Sequence, residues 1–298
     1  FSQKGGKNHG PRKVGQSLSA RRVAEVSINY LVIAIVLVGV MSPFIYVAFS
    51  SFKPLKEIMT IRPAFFPHEP TLKNYQTLLL ARTPIRNFPL FLFNSFKVSI
   101  GTALLTLVLA CLGGYSLARY RYPGRELLGR MMLFIYVFPT ILLLVPVYKM
   151  FSRLNMLDTH FALIIVYTAL AVPFCTWLLS SFFRGIPPEL EEAAMVDGAK
   201  GLTIFYRIVF PLAAPGILTA GAYAFITAWG EYMFALILLM TSAQRTAPLG
   251  LATFTAEQYI EWGPLLAGSW LIILPVVICF LPLAKYFIKG FIAGAVKG

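Results

Sequence analysis

Six long apolar segments constrain this chain more than any other feature of its sequence. Crossing the hydrocarbon core of a bilayer takes about 20 mainly apolar residues in a helix, and each segment reaches that length. No water satisfies backbone N–H and C=O groups inside the core, so a segment that crosses it must be helical. The six segments are residues 27–50, 90–118, 130–151, 161–183, 211–240 and 264–288. We therefore predict an all-α membrane protein with six transmembrane helices.

The composition favours the same class of protein. Of the 298 residues, 58% are hydrophobic and 13% are charged, whereas soluble domains average about 45–50% apolar and about 25% charged residues. The net charge of +14 does not indicate a nucleic-acid partner, because the basic residues gather at the ends of the apolar segments. Cys111, Cys175 and Cys279 lie within apolar segments and show neither disulfide nor metal-binding spacing. Membrane lipid is the predicted surrounding, and no metal site is predicted.

The distribution of lysine and arginine predicts the orientation of the chain in the membrane. With the amino-terminal tail placed in the cytoplasm, sixteen Lys and Arg residues fall on the cytoplasmic side and eight on the opposite side. Cytoplasmic loops are enriched in these residues, so both termini are predicted to be cytoplasmic. The predicted parts are a basic cytoplasmic tail (1–26), a six-span domain (27–288) with an external loop (51–89) that holds a short helix near 71–82 and a cytoplasmic loop (184–210), and a cytoplasmic carboxyl-terminal tail (289–298).

The cytoplasmic loop between the fourth and fifth segments, which we call the acidic loop (184–210), holds a short stretch rich in carboxylates. From residue 187 the sequence reads PPELEEAAMVDGAKGLTIFYRIVFPLAAPG. Two prolines suit a helix start, and acidic residues in a first turn meet the positive end of the helix dipole. Gly198 and Gly201 predict a bend, followed by a second short helix over 202–210. Four of the chain's 12 acidic residues lie here: Glu189, Glu191, Glu192 and Asp197.

Two interpretations of the acidic loop follow from its chemistry. In the first, it is a solvated loop whose acids keep it out of the membrane. In the second, it holds a helix that lies closely against a partner protein, as small alanines beside a glycine bend suggest. Movement of such a partner would pass directly into the fifth span.

At this point the sequence resembles the EAA loop of membrane permease subunits of bacterial ABC importers. The family pattern is a Glu-Ala-Ala followed by a glycine, a hydrophobic residue and a proline at set distances. Here those residues are Glu192, Ala193, Ala194, Gly198, Ile208 and Pro211. The stretches LKNYQTLL, DTHFALIIVYTALAVPF, WGEYMFAL and YFIKGFIAGAVKG are similar to the maltose-type, carbohydrate-uptake branch. One departure is Gly230, where many relatives carry asparagine.

The resemblance implies a transmembrane subunit that forms half of the translocation pathway for a sugar or oligosaccharide. Its implied partners are a second homologous permease subunit, two cytoplasmic ABC ATPase subunits, and a periplasmic or extracellular solute-binding protein. ATP and Mg would be used by the ATPase subunits, and this chain would bind no cofactor. The sequence contains no phosphate-binding loop of the Gly-x4-Gly-Lys-Ser/Thr type, so the chain is not predicted to be an enzyme.

The resemblance also assigns residues to the ATPase interface. A cytoplasmic coupling helix between spans four and five would lie in a cleft of an ATPase subunit. The glycine-rich, basic tail is expected to reach the same interface. The coupling residues are Glu192, Ala193, Ala194, Asp197, Gly198, Ile208 and Pro211, and the tail residues are Lys289, Gly290, Gly294 and Lys297.

Glu231 is the one acid inside a predicted span. An ionisable group in hydrocarbon is costly and by default marks a functional site. Trp229 and Tyr232 flank it, and Tyr136 lies in the third segment, so these aromatic rings are candidates for contact with a sugar. The alternatives are a position near the membrane interface or a hydrogen bond from Glu231 to the partner permease.

Two other functions stay open from the residues alone. An ion-gradient-driven secondary transporter or channel would favour several intramembrane acids or an internal repeat, and the sequence shows one acid and no repeat. A membrane-embedded enzyme would need a nucleophile or a metal cluster within the spans. The three histidines (His9, His68, His160) are scattered over the tail, an external loop and a span edge.

Overall fold

The computed structural model describes the backbone of residues 20–62, 64–80, 83, 85–255 and 259–295, and the side chains of these residues except 20–24 and 282–295. The chain divides into two compact units, and the division falls between Tyr46 and Val47, within the first helix. Within the described residues the structure is helical, and the β pairing is a single bridge between Thr255 and Ile260. The helices are α1 (Ala20–Ser50), α2 (Leu55–Ile58), α3 (Lys73–Leu80), α4 (Phe88–Arg119), α5 (Arg125–Phe134), α6 (Leu144–Arg153), α7 (His160–Arg184), α8 (Glu189–Val196), α9 (Gly201–Ile204), α10 (Phe210–Leu212), α11 (Ala214–Trp229), α12 (Met233–Leu238), α13 (Ala247–Leu251) and α14 (Trp262–Ala295).

Four of the six predicted segments are single long helices. Helices α1, α4, α7 and α14 are each long and apolar enough to cross a membrane, and α4 and α7 match their predicted segments to within two residues at each end. The other two segments are bent pairs of helices, so the described residues contain four to six candidate spans. The all-α class is confirmed for these residues, and the short helix predicted near 71–82 is α3.

The third segment, predicted as one helix over 130–151, is broken in the middle. The helical stretches Arg125–Val137 and Thr140–Arg153 are bent by 92° relative to each other, and Pro139 lies at the break between them. Phe138 is extended, with φ −78° and ψ 125°, because the ring of a following proline disfavours the helical region for the residue before it. Short 3-10 turns flank the break at Ile135–Val137 and Thr140–Leu143. The prediction of a continuous helix was wrong because the proline acts here as a break and not as a mild kink.

The fifth segment, predicted over 211–240, is also divided. Gly201–Leu212 and Ala214–Trp229 are bent by 79°, and α11 ends at Gly230. A separate short helix, α12, follows. Glu231 therefore lies at a junction between two helices and not inside a continuous span, which corrects its predicted placement.

Helices α4, α7 and α11 pack into the centre of the bundle. Glycines on α4 permit a close approach to α7: a Cβ at Gly114 would lie 3.1 Å from the backbone oxygen of Thr176 and 3.1 Å from the amide nitrogen of Ser180. Leu179 and Phe183 on α7 are fully buried in the same core. In a membrane such packing holds helices together through van der Waals contact.

The bundle has two ends that differ in structure. We call the end where α4 and α7 finish the loop end, because the acidic loop packs there. We call the end where α4 and α7 begin the far end, and residues 239–247 pack there. The loop between α4 and α7 therefore starts at the loop end and returns at the far end, so its bent pair α5–α6 spans the bundle once.

The carboxyl-terminal part of the chain remains helical beyond the predicted sixth segment. The backbone of α14 continues to Ala295, so Lys289, Gly290 and Gly294 of the predicted tail lie on this helix. Lys297 lies outside the described residues.

Candidate functional site

Helix α8 of the acidic loop ends in a C-terminal capping motif that includes Gly198. Gly198 has φ +83°, a left-handed conformation that glycine adopts without the cost of a Cβ. Its N–H donates to the carbonyl of Met195 at 3.0 Å, and the N–H of Ala199 donates to the carbonyl of Ala194 at 2.9 Å. This pair of bonds is the Schellman arrangement that satisfies the last carbonyls of a helix. The predicted bend at Gly198 is confirmed.

Glu191 anchors the acidic loop to α4. Its side chain is almost fully buried and accepts hydrogen bonds from Tyr115 Oη at 2.7 Å and from Arg119 Nε at 2.5 Å. Arg119 also donates through Nη2 to the carbonyl of Ile186 at 2.8 Å. Charge-assisted bonds of this kind are stronger than neutral ones, so the last turns of α4 hold both α8 and Ile186, three residues before its start.

Apolar side chains seat the rest of the acidic loop against the bundle. Ile204, Phe205 and Val209 are buried and belong to the same core as the last turns of α7. The rings of Phe205 and Tyr115 lie 5.0 Å apart, edge to face. Residues 205–209 adopt a π-helical turn, which is rare in proteins and frequent at functional sites.

The opposite face of the acidic loop is exposed. Val196 is 88% and Leu202 71% exposed, beside exposed Leu190 and Met195. Apolar patches of this kind mark protein interaction sites. A Cβ built at Gly198 meets open space, so no described residue of this chain fills the position. Of the predicted coupling residues, Glu192, Ala193, Asp197, Gly198 and Pro211 are exposed, whereas Ala194 and Ile208 are half-buried against the core.

Glu231 holds the start of α12. Its carboxylate accepts the N–H of Phe234 at 2.9 Å and 3.1 Å and the N–H of Ala235 at 3.2 Å. It also accepts the hydroxyl of buried Tyr167 on α7 at 2.5 Å. Four contacts within one chain satisfy the carboxylate, and they fix the junction between α11 and α12 against α7.

The aromatic residues predicted with Glu231 occupy different surroundings. Trp229 is 1% exposed and donates through Nε1 to the carbonyl of Ile272 on α14 at 2.9 Å. Tyr232 is half-buried beside the core around Phe234. Tyr136 is 46% exposed, and its hydroxyl donates to the carbonyl of Leu170 at 2.8 Å. Tyr136 and Glu231 thus bind α7 at positions three residues apart.

Asp158 joins the loop before α7 to residues 240 and 241 at the far end. Asp158 Oδ1 accepts the N–H groups of Met240 at 2.9 Å and Thr241 at 3.0 Å. Burial raises the pKa of Asp158, but hydrogen bonds from the backbone and side chain of Thr241 and from the backbone of Met240, with a smaller effect of His160, together hold the pKa below its ordinary value of 3.8. In the part of the chain that the structure describes, no three His, Cys, Asp or Glu side chains lie close enough together to hold a metal ion.

Comparison with known proteins identifies the family to which this chain belongs. A family model described as the binding-protein-dependent transport system inner membrane component matches residues 107–291. The chain belongs to this family. The match contains the acidic loop, Tyr136 and Glu231, and it confirms the resemblance inferred from the loop sequence. The chain is therefore a multi-pass inner-membrane permease and a transport component rather than an enzyme.

Individual relatives align with this permease over nearly its whole length. The sulfoquinovosyl glycerol transport system permease protein of Agrobacterium fabrum is 37% identical over 272 residues, covering 91% of this chain and 94% of that protein. The trehalose/maltose transport system permease protein of Thermococcus litoralis is 33% identical over 271 residues, covering 90% and 96%. A solved chain from a bacterial ABC transporter involved in the import of the acidic polysaccharide alginate has a TM-score of 0.75 at 23% identity, covering 90% of this chain and 98% of that one, and shows the same fold.

Sequence reasoning missed the role of Glu191 in this permease. Tyr115 and Arg119 are four residues apart and so share a face of α4, which the sequence does show. Their partner lies 72 residues beyond Arg119, and nothing in the local pattern distinguishes Glu191 from its acidic neighbours.

Proposed function

We propose that this permease subunit forms half of the translocation pathway for a sugar or oligosaccharide in an ATP-driven ABC importer. The carbohydrate assignment is supported by the transport functions named for its relatives. The coupling assignment is carried by one observation: the acidic loop is rigidly folded on its inner face and exposes an apolar and acidic outer face. Its proposed partners are a second homologous permease subunit, two cytoplasmic ABC ATPase subunits and a solute-binding protein outside the membrane.

The proposed topology has six spans with both termini in the cytoplasm. Each bent pair counts as one span, which agrees with the single passage of α5–α6 between the two ends of the bundle. The loop end then faces the cytoplasm, where the positive-inside rule puts sixteen of the Lys and Arg residues and leaves eight outside. This orientation presents the exposed face of the acidic loop to cytoplasmic proteins.

In this proposal α8 is the coupling helix that an ATPase subunit holds. The contact residues are the exposed members of the EAA pattern, Glu192, Ala193, Asp197 and Gly198. Ala194 and Ile208 pack the loop to the bundle, and Pro211 marks its continuation toward α11. ATP and Mg are used by the ATPase subunits, and Lys289, Gly290, Gly294 and Lys297 extend toward the same interface. Closure of the ATPase dimer on ATP moves the loop and changes the side of the membrane to which the pathway opens.

The proposed pathway residues have separate roles. Tyr136, Tyr232 and Glu231 are at least partly exposed within the chain, so they are placed toward the cargo. Trp229 is enclosed by its own chain and bonded to α14, so it supports the wall of the pathway. Carbohydrate rings have apolar C–H faces and polar edges, which suit a surface of aromatic rings and a carboxylate.

Reconstituted uptake tests the proposed function. The complete complex in proteoliposomes is expected to accumulate a labelled oligosaccharide only with ATP inside and a solute-binding protein outside. Uptake by this chain without ATPase subunits, driven by a proton or sodium gradient, would contradict the proposal and support a secondary transporter.

A further inference from the structure

The first observation concerns the loop end of α4. Among the neighbouring acids of α8, Glu191 turns inward and is 4% exposed. Tyr115 and Arg119, both in the last turns of α4, donate to its two carboxylate oxygens. Arg119 also holds the carbonyl of Ile186. A force that moves α8 is therefore applied to α4 through charge-assisted hydrogen bonds.

The second observation concerns the shape of the two routes away from the acidic loop. The covalent route leads to α11 through the π-helical turn at 205–209 and a 79° bend. Helix α4, by contrast, is continuous for 32 residues, or about 48 Å at 1.5 Å per residue, and its only proline lies in the first turn. An unbroken helix transmits a displacement along its axis. A bend between two helices absorbs part of that displacement.

The third observation concerns the far end of α4. Asn94 Nδ2 donates to the carbonyls of Ala243 at 2.8 Å and Arg245 at 2.9 Å. One residue on, Ser95 Oγ accepts the N–H of Ala247 at 2.8 Å. Both side chains are 2% exposed. Three hydrogen bonds therefore bind segment 243–247 to α4, one of them buried and two part-buried, so a displacement of α4 acts directly on this segment.

We propose that α4 is a second transmission element of the permease, which carries movement of the acidic loop to segment 243–247 at the far end. Arg119, Tyr115 and Glu191 are its positioning residues at one end, and Asn94 and Ser95 at the other. The inference rests on the proposed coupling role of the acidic loop. It adds to that role a path through a second span that is not covalently next to the loop.

The chemistry of a buried ion pair allows transmission to be separated from folding. Replacing both partners by apolar residues of similar volume is often neutral for stability, whereas removing one partner leaves a buried charge without compensation. The test variant is therefore the double substitution Glu191→Met and Arg119→Met. The matched control is Glu126→Met and Arg130→Met on α5, which removes an exposed pair with its nitrogen and oxygen 3.4 Å apart and makes the same change in charge.

The measurement is uptake per ATP hydrolysed by the full complex with its ATPase subunits and solute-binding protein in proteoliposomes. Allosteric coupling between sites spans about 5–150-fold, and we expect the Glu191/Arg119 double variant to assemble, hydrolyse ATP and lose about tenfold in uptake per ATP. The control is expected to match wild type. Asn94→Leu is expected to give a similar loss, and combining it with the double variant is expected to add little, because both lie on one path.

Three outcomes would overturn the proposal. Wild-type uptake per ATP in the double variant would show that packing alone suffices at this position. Losses that multiply when Asn94→Leu is added would show two independent effects. Failure of the double variant to assemble would make the pair a folding requirement. Failure of the proposed function itself is distinguishable, since the wild-type complex would then show no ATP-dependent uptake.

Discussion

The two ends of the bundle differ in whether their polar side chains are bound within the chain or exposed. At the far end, Asn94, Ser95 and Asp158 all bind backbone groups of the same chain. At the loop end, Glu191 is bound in the same self-contained way, but its neighbour Glu192 points outward with exposed Val196 close by. These three far-end side chains are paired within the chain, whereas one face of the loop end is exposed.

This difference shows that residue type does not decide function in the acidic loop. Glu191 and Glu192 are adjacent and chemically identical, yet one holds the loop to the bundle and the other is exposed. What separates them is the side of α8 on which each lies. The predictions below test that distinction. A change on the exposed face should affect transport without affecting stability, whereas removing one partner of an inward-facing hydrogen bond should affect stability whether or not it also affects transport.

The largest effect is expected at Gly198, on the outward face. Gly198→Asp should abolish coupled uptake, because it places a carboxylate beside Asp197 at the proposed contact with the ATPase. Gly198→Asn is the control, since asparagine has the same shape and tolerates the left-handed conformation. Uptake in proteoliposomes, corrected for the amount of permease by immunoblot, is the measurement. Equal uptake by the aspartate variant and wild type would show that Gly198 is not at a contact.

A large effect on stability is expected at Glu231. Glu231→Leu leaves the N–H groups of Phe234 and Ala235 and the hydroxyl of Tyr167 without an acceptor, and each unpaired buried group costs about 1–3 kcal/mol. The free energy of unfolding should fall by about 3 kcal/mol in denaturant titrations of the detergent-solubilised protein. Glu231→Gln keeps an acceptor oxygen and should lose less. Equal stability of the leucine variant and wild type would rule out this capping role.

A moderate effect on stability is expected when Ser95 of α4 is replaced by alanine, but not when Ser99 is. Ser95→Ala removes the acceptor for the buried N–H of Ala247 and should lower the free energy of unfolding by about 1–2 kcal/mol. Ser99→Ala, one turn further along, removes a buried hydroxyl that has no hydrogen-bond partner among the described residues and should be neutral or slightly stabilising. The same denaturant titration checks both. Identical losses would mean that helix packing, and not the bond to Ala247, decides the effect.

The smallest effect is expected for Asp158 and depends on pH. Because the pKa of the folded carboxyl lies below 3.8, its stabilising contribution is complete above that value and is lost as pH falls through the folded pKa. Asp158→Asn should therefore lower the melting temperature slightly at pH 7 and leave it unchanged well below the folded pKa. A difference that persists or grows in acid would contradict the assigned bonds to Met240 and Thr241.

The sequence predicts the long spans well and their interruptions poorly. Helices α4 and α7 follow from long apolar segments because hydrocarbon leaves a chain little choice but a helix. The breaks at Pro139 and Gly230 were missed because proline and glycine are often tolerated inside spans, and only packing decides whether they divide a helix. The bend at Gly198 was predictable because its cause is local.

The candidate site shows the same limit. The EAA pattern of the acidic loop is local and was found from the sequence. The bonds of Glu191 to Arg119 and of Asn94 to residue 243 join segments 72 and 149 residues apart. Such contacts depend on how helices are arranged in space, and a single sequence does not contain that information directly.

The central claim is that α8 lies in the cytoplasm and is covered by an ATPase subunit. Val196→Cys in a Cys279→Ser background tests it most directly, because Val196 is the most exposed apolar side chain on α8. Cys111 and Cys175 are buried, whereas Cys279 is only half-buried and has to be removed. A membrane-impermeant maleimide should label Val196→Cys in inside-out vesicles, and ATPase subunits should protect it, while right-side-out vesicles stay unlabelled at this position. Labelling from the outside, or equal labelling with and without ATPase subunits, would contradict the account.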